Sequence, residues 1–232
     1  MRLRDDRGMS LFSFSRKAPA RIEPDGLSGP DAREAWHLHG LGPGPADRHA
    51  RFARLAEVLA RLTVDDFVVL GLLKRPRDRF HTGSYGAEDD GSGAGTLCFT
   101  VSPEGRRQAL EWRPDGGDGS DLWVDGRPVD GPRDATGLLP LDGPGAWCGE
   151  RIHLTPFVPD EHPLQDWTEP FSRGVQRGAL LVDAVTGRQW TELPGADELW
   201  SFPIGREVGS ELLLFADPEA RDAGRVSRRV PL

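Results

Sequence analysis

Between Pro45 and Leu62 the chain carries a single strongly amphipathic stripe of helical period, and nearly every apolar run after Thr63 is short enough to be a strand. Phe52, Leu55, Val58, Leu59 and Leu62 fall within an arc of about 120° on a helical wheel, with Arg54, Glu57 and Arg61 opposite. The polar face mixes charge signs, so the stripe belongs to a core-packing helix rather than to a membrane. A doubly wound α/β fold needs strands and helices in alternation, and that alternation is missing. The order predicts an α+β protein: an N-terminal amphipathic helix packed on a mainly antiparallel sheet. Residues 126–149 are where a second β-rich half would begin.

The strand readings rest on period and punctuation. "FVVLGLL" (Phe67 to Leu73) is a continuous apolar run, read as a strand covered on both faces. "TLCFTVS" alternates Leu97, Phe99 and Val101 against Cys98, Thr100 and Ser102, the pattern of a half-buried strand. "RQALEWRP" follows, and "DLWVDGRPV" sets Asp125-Gly126 between two short runs as a hairpin turn. "RIHLTPF" reads as a strand, "GALLVDAVTGRQWTEL" as a hairpin turning near Thr186-Gly187, and "SELLLFAD" as a late strand ended by Pro218. The 29 glycines and 20 prolines make about a fifth of the 232 residues, against roughly 12% in an ordinary protein. Such punctuation suits many short elements. Residues 1–30 are expected to form a flexible arm, with Met9 an alternative start to Met1, and residues 31–232 a single α+β domain. No apolar run approaches the roughly 20 residues of a membrane span, and the broken run after Met9 is too short for a signal peptide. The expected location is the cytoplasm.

Charge argues against one class of partner. A net charge of −8 opposes general nucleic-acid binding, which requires a basic surface. The basic stretches Lys74 to Arg79 and Arg225 to Arg229 read as solvated loop and tail. The two cysteines, Cys98 and Cys148, match no zinc or redox spacing and sit in apolar contexts that suit small buried side chains. No cofactor is expected.

Three of the six histidines, His37, His39 and His49, fall in one short stretch. "HLHG" resembles, over four residues, the His-x-His pair that opens metal-dependent hydrolases of the amidohydrolase type. The resemblance implies a (β/α)₈ barrel, later histidines and a metal-binding aspartate, none of which has a counterpart here, so no metal site is expected. The histidines read as surface or turn residues with Trp36 and Leu38 buried behind them. The glycine-rich "GSYGAEDDGSGAGT" lacks the Gly-Lys-Ser/Thr of a phosphate loop and leads into a strand. "DGGDGSD" spaces Asp115, Asp118 and Asp121 three apart, not at the alternate positions of an EF-hand. No Gly-x-Ser-x-Gly elbow is present.

Two candidate sites remain. His153 would share a strand face with Arg151 and Thr155, with Asp160, Glu161, His162 and Asp166 in the loop beyond. A carboxylate beside an imidazole can do acid–base work, so His153, Glu161 and His162 are the candidate catalytic or ligand-binding residues. Seven tryptophans against one tyrosine form the other signal. Trp36, Trp167 and Trp200 lie in loop-like contexts and are candidate interaction residues, because tryptophan is favoured at interface hot spots. The leading functional expectation is a non-catalytic protein-interaction module of accessory, chaperone-like or immunity type, whose partner is a protein, basic if charge steers the encounter. The alternative is a small-molecule-binding protein or hydrolase-type enzyme with a pocket around His153.

Overall fold

The computed structural model describes residues 26–40, 48–74, 81–82, 84–86, 95–114, 119–131, 133–134, 137–141, 145–158 and 176–232. They form an α+β protein of N-terminal helices and antiparallel sheets.

Helices α1 (Gly29–Gly40) and α2 (Arg48–Leu59) lie antiparallel. The guanidinium groups of Arg51, Arg54 and Arg61 reach the Leu38 carbonyl, Glu34 and Asp31 in that order, at 2.8–3.2 Å. The exposed Arg54–Glu34 and Arg61–Asp31 pairs contribute little energy each but record the register. Helix α1 was not apparent in the sequence because its buried positions are alanines, Ala32 and Ala35, which carry no strong apolar stripe. Leu27 packs on the same core and the Ser28 hydroxyl donates to Asp66, so contacts with the core reach back to residue 27.

Helix α3 (Val64–Val69) corrects the strand reading of "FVVLGLL". Thr63 caps it, and Asp66 returns the bond by accepting from the Thr63 amide at 3.0 Å, a reciprocal capping box. Its end is a Schellman motif. Gly71 has φ +76°, its N–H donates to the Val68 carbonyl, and the Leu72 N–H donates to the Phe67 carbonyl. Only Leu73 and Lys74 of this region extend, as β1 (Leu73–Lys74), which pairs with β2 (His81–Thr82).

The first large sheet is a meander of β3 (Ser84–Gly86), β4 (Gly95–Val101), β5 (Gln108–Pro114), β6 (Asp121–Val124) and β7 (Arg127–Pro128). Its last turn has φ +48° at Asp125 and +74° at Gly126, the two left-handed residues of a type I′ hairpin, where the sequence expects it. Leu97, Phe99, Leu110 and Trp123 face the helices, and Phe67 meets Phe99 edge to face at 4.8 Å. The opposite face is covered too, which revises the half-buried reading of "TLCFTVS": Thr100 and Ser102 are buried.

What covers it is the second sheet, in the order β11-β10-β9-β8: β8 (Ala146–Cys148), β9 (Arg151–Leu154), β10 (Ala179–Asp183) and β11 (Gln189–Glu192). Ile152, Leu154, Leu180 and Val182 interleave with Ala109, Leu122 and Val124. The Trp147 indole N–H donates to the Thr100 hydroxyl at 2.9 Å across the gap. Bridges Ser120↔Leu139 and Leu141↔Pro156 stitch residues 137–141 between the two sheets.

The third sheet, β12 (Ile204–Val208), β13 (Glu211–Phe215) and β14 (Arg228–Pro231), covers the far face of the second through Leu181, Trp200, Leu212, Leu214 and Val230. Between β13 and β14, Asp217 caps α4 (Pro218–Asp222), whose proline occupies the first turn. Among the described residues the layers are thus helices α1 to α3 and the three larger sheets, with the two-stranded β1–β2 ribbon beside them. No helix among the described residues is long and apolar enough to cross a membrane.

Candidate functional site

Strand β9 presents its residues as a period of two dictates. Ile152 and Leu154 point into the core, while Arg151 and His153 face the third sheet. On this face Cys148 lies across from Arg151, Leu181 from His153, and Asp183 from Arg151. Strand β12 brings Glu207 down onto the same group.

The polar contacts form a chain. The Arg151 guanidinium donates to Glu207 Oε2 at 2.8 Å and to Asp183 Oδ2 at 3.0 Å. Asp183 Oδ1 accepts from the amides of Val185 and Thr186, at 3.0 and 2.9 Å. Glu207 Oε1 lies 3.4 Å from His153 Nε2. The Cys148 sulfur, a His153 ring nitrogen and a Glu207 oxygen lie within 4.8 Å of one another.

Burial holds the His153 imidazole below its ordinary pKa, against the opposing pull of Glu207. Burial and the Glu207 charge push the Cys148 thiol up. Burial acts upward on Asp183, but the Thr186 amide and Arg151 outweigh it and hold the carboxyl below the usual range. A neutral imidazole beside a protonated thiol is the opposite of the thiolate–imidazolium pair that a cysteine nucleophile needs.

Space is scarce around the imidazole. The cavity lined by His153, Leu181, Trp190, Gly205 and Leu212 measures about 20 Å³, room for one water. A separate polar cleft of about 190 Å³ lies between the β6–β7 and β10–β11 turns, lined by Arg127, Asp130, Asp183 and Gln189. Both fall below the roughly 300 Å³ at which small-molecule pockets begin.

The sequence-derived candidates separate. His153 has a carboxylate partner, but it is Glu207, 54 residues away; Glu161, His162 and Trp167 lie outside the described residues. His37 and His39 sit on helix α1, where two positions differ by about 200° around the axis, so one ion cannot take both. His49 bonds Asp121 at 2.8 Å and lies against Trp123, tying α2 to the first sheet. Asp121 itself is buried, at the start of β6. Of the basic tail, Arg228 pairs with Glu198 and Arg229 with Glu211. Cys148 is exposed and Cys98 only half-buried, which corrects the expectation of two buried thiols.

The tryptophans also resolve. Trp36 is partly buried against the helical core, and Trp200, 1% exposed, is a core residue that offers no surface. Its neighbours do. Leu199 is 61% exposed and Phe202 49% exposed. The segment that carries them is pinned: the Trp200 amide donates to the Gln176 side chain at 2.8 Å, and its carbonyl accepts from the Arg177 amide at 3.0 Å. Arg177 also donates to the Ser201 carbonyl at 2.7 Å, and Phe202 N–H to the Ala216 carbonyl at 3.2 Å. Arg228 grips Glu198 with two nitrogens and lies over the Trp200 ring. Trp200 is thus an anchor in the core, and the exposed apolar side chains flank it. Compared with protein families, curated proteins and solved structures, the chain matches none.

Proposed function

We propose that this chain is a non-catalytic, cytoplasmic protein-interaction module of accessory, chaperone-like or immunity type. The observation that carries the reading is the rigid display of Leu199 and Phe202 on either side of the buried Trp200. Large apolar side chains held out by a hydrogen-bonded backbone lose little conformational entropy on docking, so more of the contact energy appears as affinity. Exposed Asp197 stands two residues from Leu199, and the whole chain carries −8. The partner is therefore a protein with an apolar depression and a basic rim, drawn in by charge.

The test is native mass spectrometry on complexes purified from the host with the full chain and with Leu199→Asp/Phe202→Asp. A basic polypeptide that accompanies the first and not the second supports the reading. A partner retained equally by both overturns it. The ligand-pocket reading around His153 is the weaker one, because the adjoining cavity admits a water rather than a substrate.

A further inference from the structure

We infer that Cys148, His153 and Glu207 form a binding site for a divalent metal ion of the zinc class, with one coordination position open to solvent. The inference is independent of the interaction surface.

The donor set comes first. A thiol, an imidazole and a carboxylate are the three side-chain types that bind zinc, and sulfur disfavours magnesium and calcium. They arrive from β8, β9 and β12, strands of two different sheets, and their donor atoms converge within 4.8 Å of one another.

The His153–Glu207 separation, long for a hydrogen bond, also suits two ligands of one ion. His153 Nε2 and Glu207 Oε1 are 3.4 Å apart, at the outer limit of a hydrogen bond, whose usual length is about 2.9 Å. Two ligands each about 2.05 Å from a tetrahedral ion stand roughly 3.3 Å apart. The pair thus has the edge length of a coordination tetrahedron. The Cys148 sulfur lies within 4.8 Å of both, and the exposure of this residue supplies the entry path.

The surroundings fit as well. Arg151 holds Glu207 Oε2 and leaves Oε1 directed at the imidazole; Asp183, fixed by two backbone amides, holds Arg151. Such outer hydrogen bonds orient metal ligands and tune their basicity. Charge closes too: one thiolate and two carboxylates balance one guanidinium and one divalent ion. Three protein ligands leave the fourth position for water, toward the exposed side of Cys148.

The experiment uses the full chain, stripped with a chelator and titrated with Zn²⁺ and with Co²⁺. One ion per chain is expected, and the Co²⁺ form is expected to show a thiolate-to-cobalt charge-transfer band. Cys148→Ser, at an exposed position, should abolish that band, and Cys148→Ser and Glu207→Gln should each weaken Zn²⁺ binding by at least ~100-fold. Circular dichroism confirms that each variant remains folded, and Cys98→Ser should change nothing. Absence of binding, a band that survives Cys148→Ser, or Zn²⁺ affinity unchanged in Cys148→Ser and Glu207→Gln overturns the site. Should Glu207→Gln fail to fold, Cys148→Ser decides alone.

Discussion

A Cβ built on Gly205 would lie 2.3 Å from His153 Nδ1, so the imidazole occupies the space that any side chain at position 205 would need. Strand β12 can approach β9 this closely only because residue 205 has none. Gly205→Ala should therefore cost about 1–3 kcal/mol by overpacking. The cost should shrink when His153→Ala is added, a coupling read from urea denaturation of the four species in the cycle. Additive losses would show that the clash is relieved elsewhere.

The cap of α3 predicts a loss at its first turn. Thr63→Ala removes the hydroxyl that bonds Asp66 and should destabilise by about 1 kcal/mol. Burial acts to raise the Asp66 pKa, but bonds from Ser28 and Thr63 outweigh it and hold the carboxyl below the usual value. Its stabilisation is therefore fully present above the ordinary Asp pKa of about 3.9 and is lost as pH falls through the lower folded value. Asp66→Asn should flatten this acid limb in denaturant midpoints measured from pH 6 to pH 2.

His153 gives a second dependence with a different window. Burial favours the neutral ring, so below about pH 6.5 the unfolded chain takes up a proton that the folded one refuses. Stability should fall as pH drops through that value and level off below the depressed folded pKa. With chelator present, His153→Gln should remove this slope between pH 7 and pH 5; an unchanged slope would assign it to another group.

Exposure separates Leu199 and Phe202 from the buried Trp200. Leu199→Ser and Phe202→Ser should each change folding stability by less than ~0.5 kcal/mol. Trp200→Ala should cost about 3–5 kcal/mol by emptying the third core. Thermal and denaturant unfolding of the three variants would check the contrast, and a large loss at Leu199 would mean that it packs rather than protrudes.

Strands were legible wherever period two met turn chemistry. The β6–β7 and β10–β11 hairpins and the two faces of β9 follow from residues alone. The run Phe67 to Leu73 misled because unbroken apolar sequence carries no period; Thr63, Asp66 and Gly71, which decide it, are local signals that the apolar count outweighed. The polar cluster was half legible. His153 stood out as an imidazole on an alternating strand, but Glu207 reaches it through the stacking of separate sheets, and Cys148 hid in an apolar context that the strand edge turns outward. Contacts between layers depend on packing distances that no local pattern encodes.

The stacking order of the layers is also their order along the chain: helices α1 to α3 through residue 69, then sheets spanning 84–128, 146–192 and 204–231, the last with the short α4 between two of its strands. A ribosome therefore delivers each layer only after the one beneath it has been synthesised, and no layer waits for a distant segment to complete its strand pairing. Assembly can proceed as deposition, each new sheet condensing on an apolar face already in place, so that little sticky surface is ever presented to the crowded milieu for long.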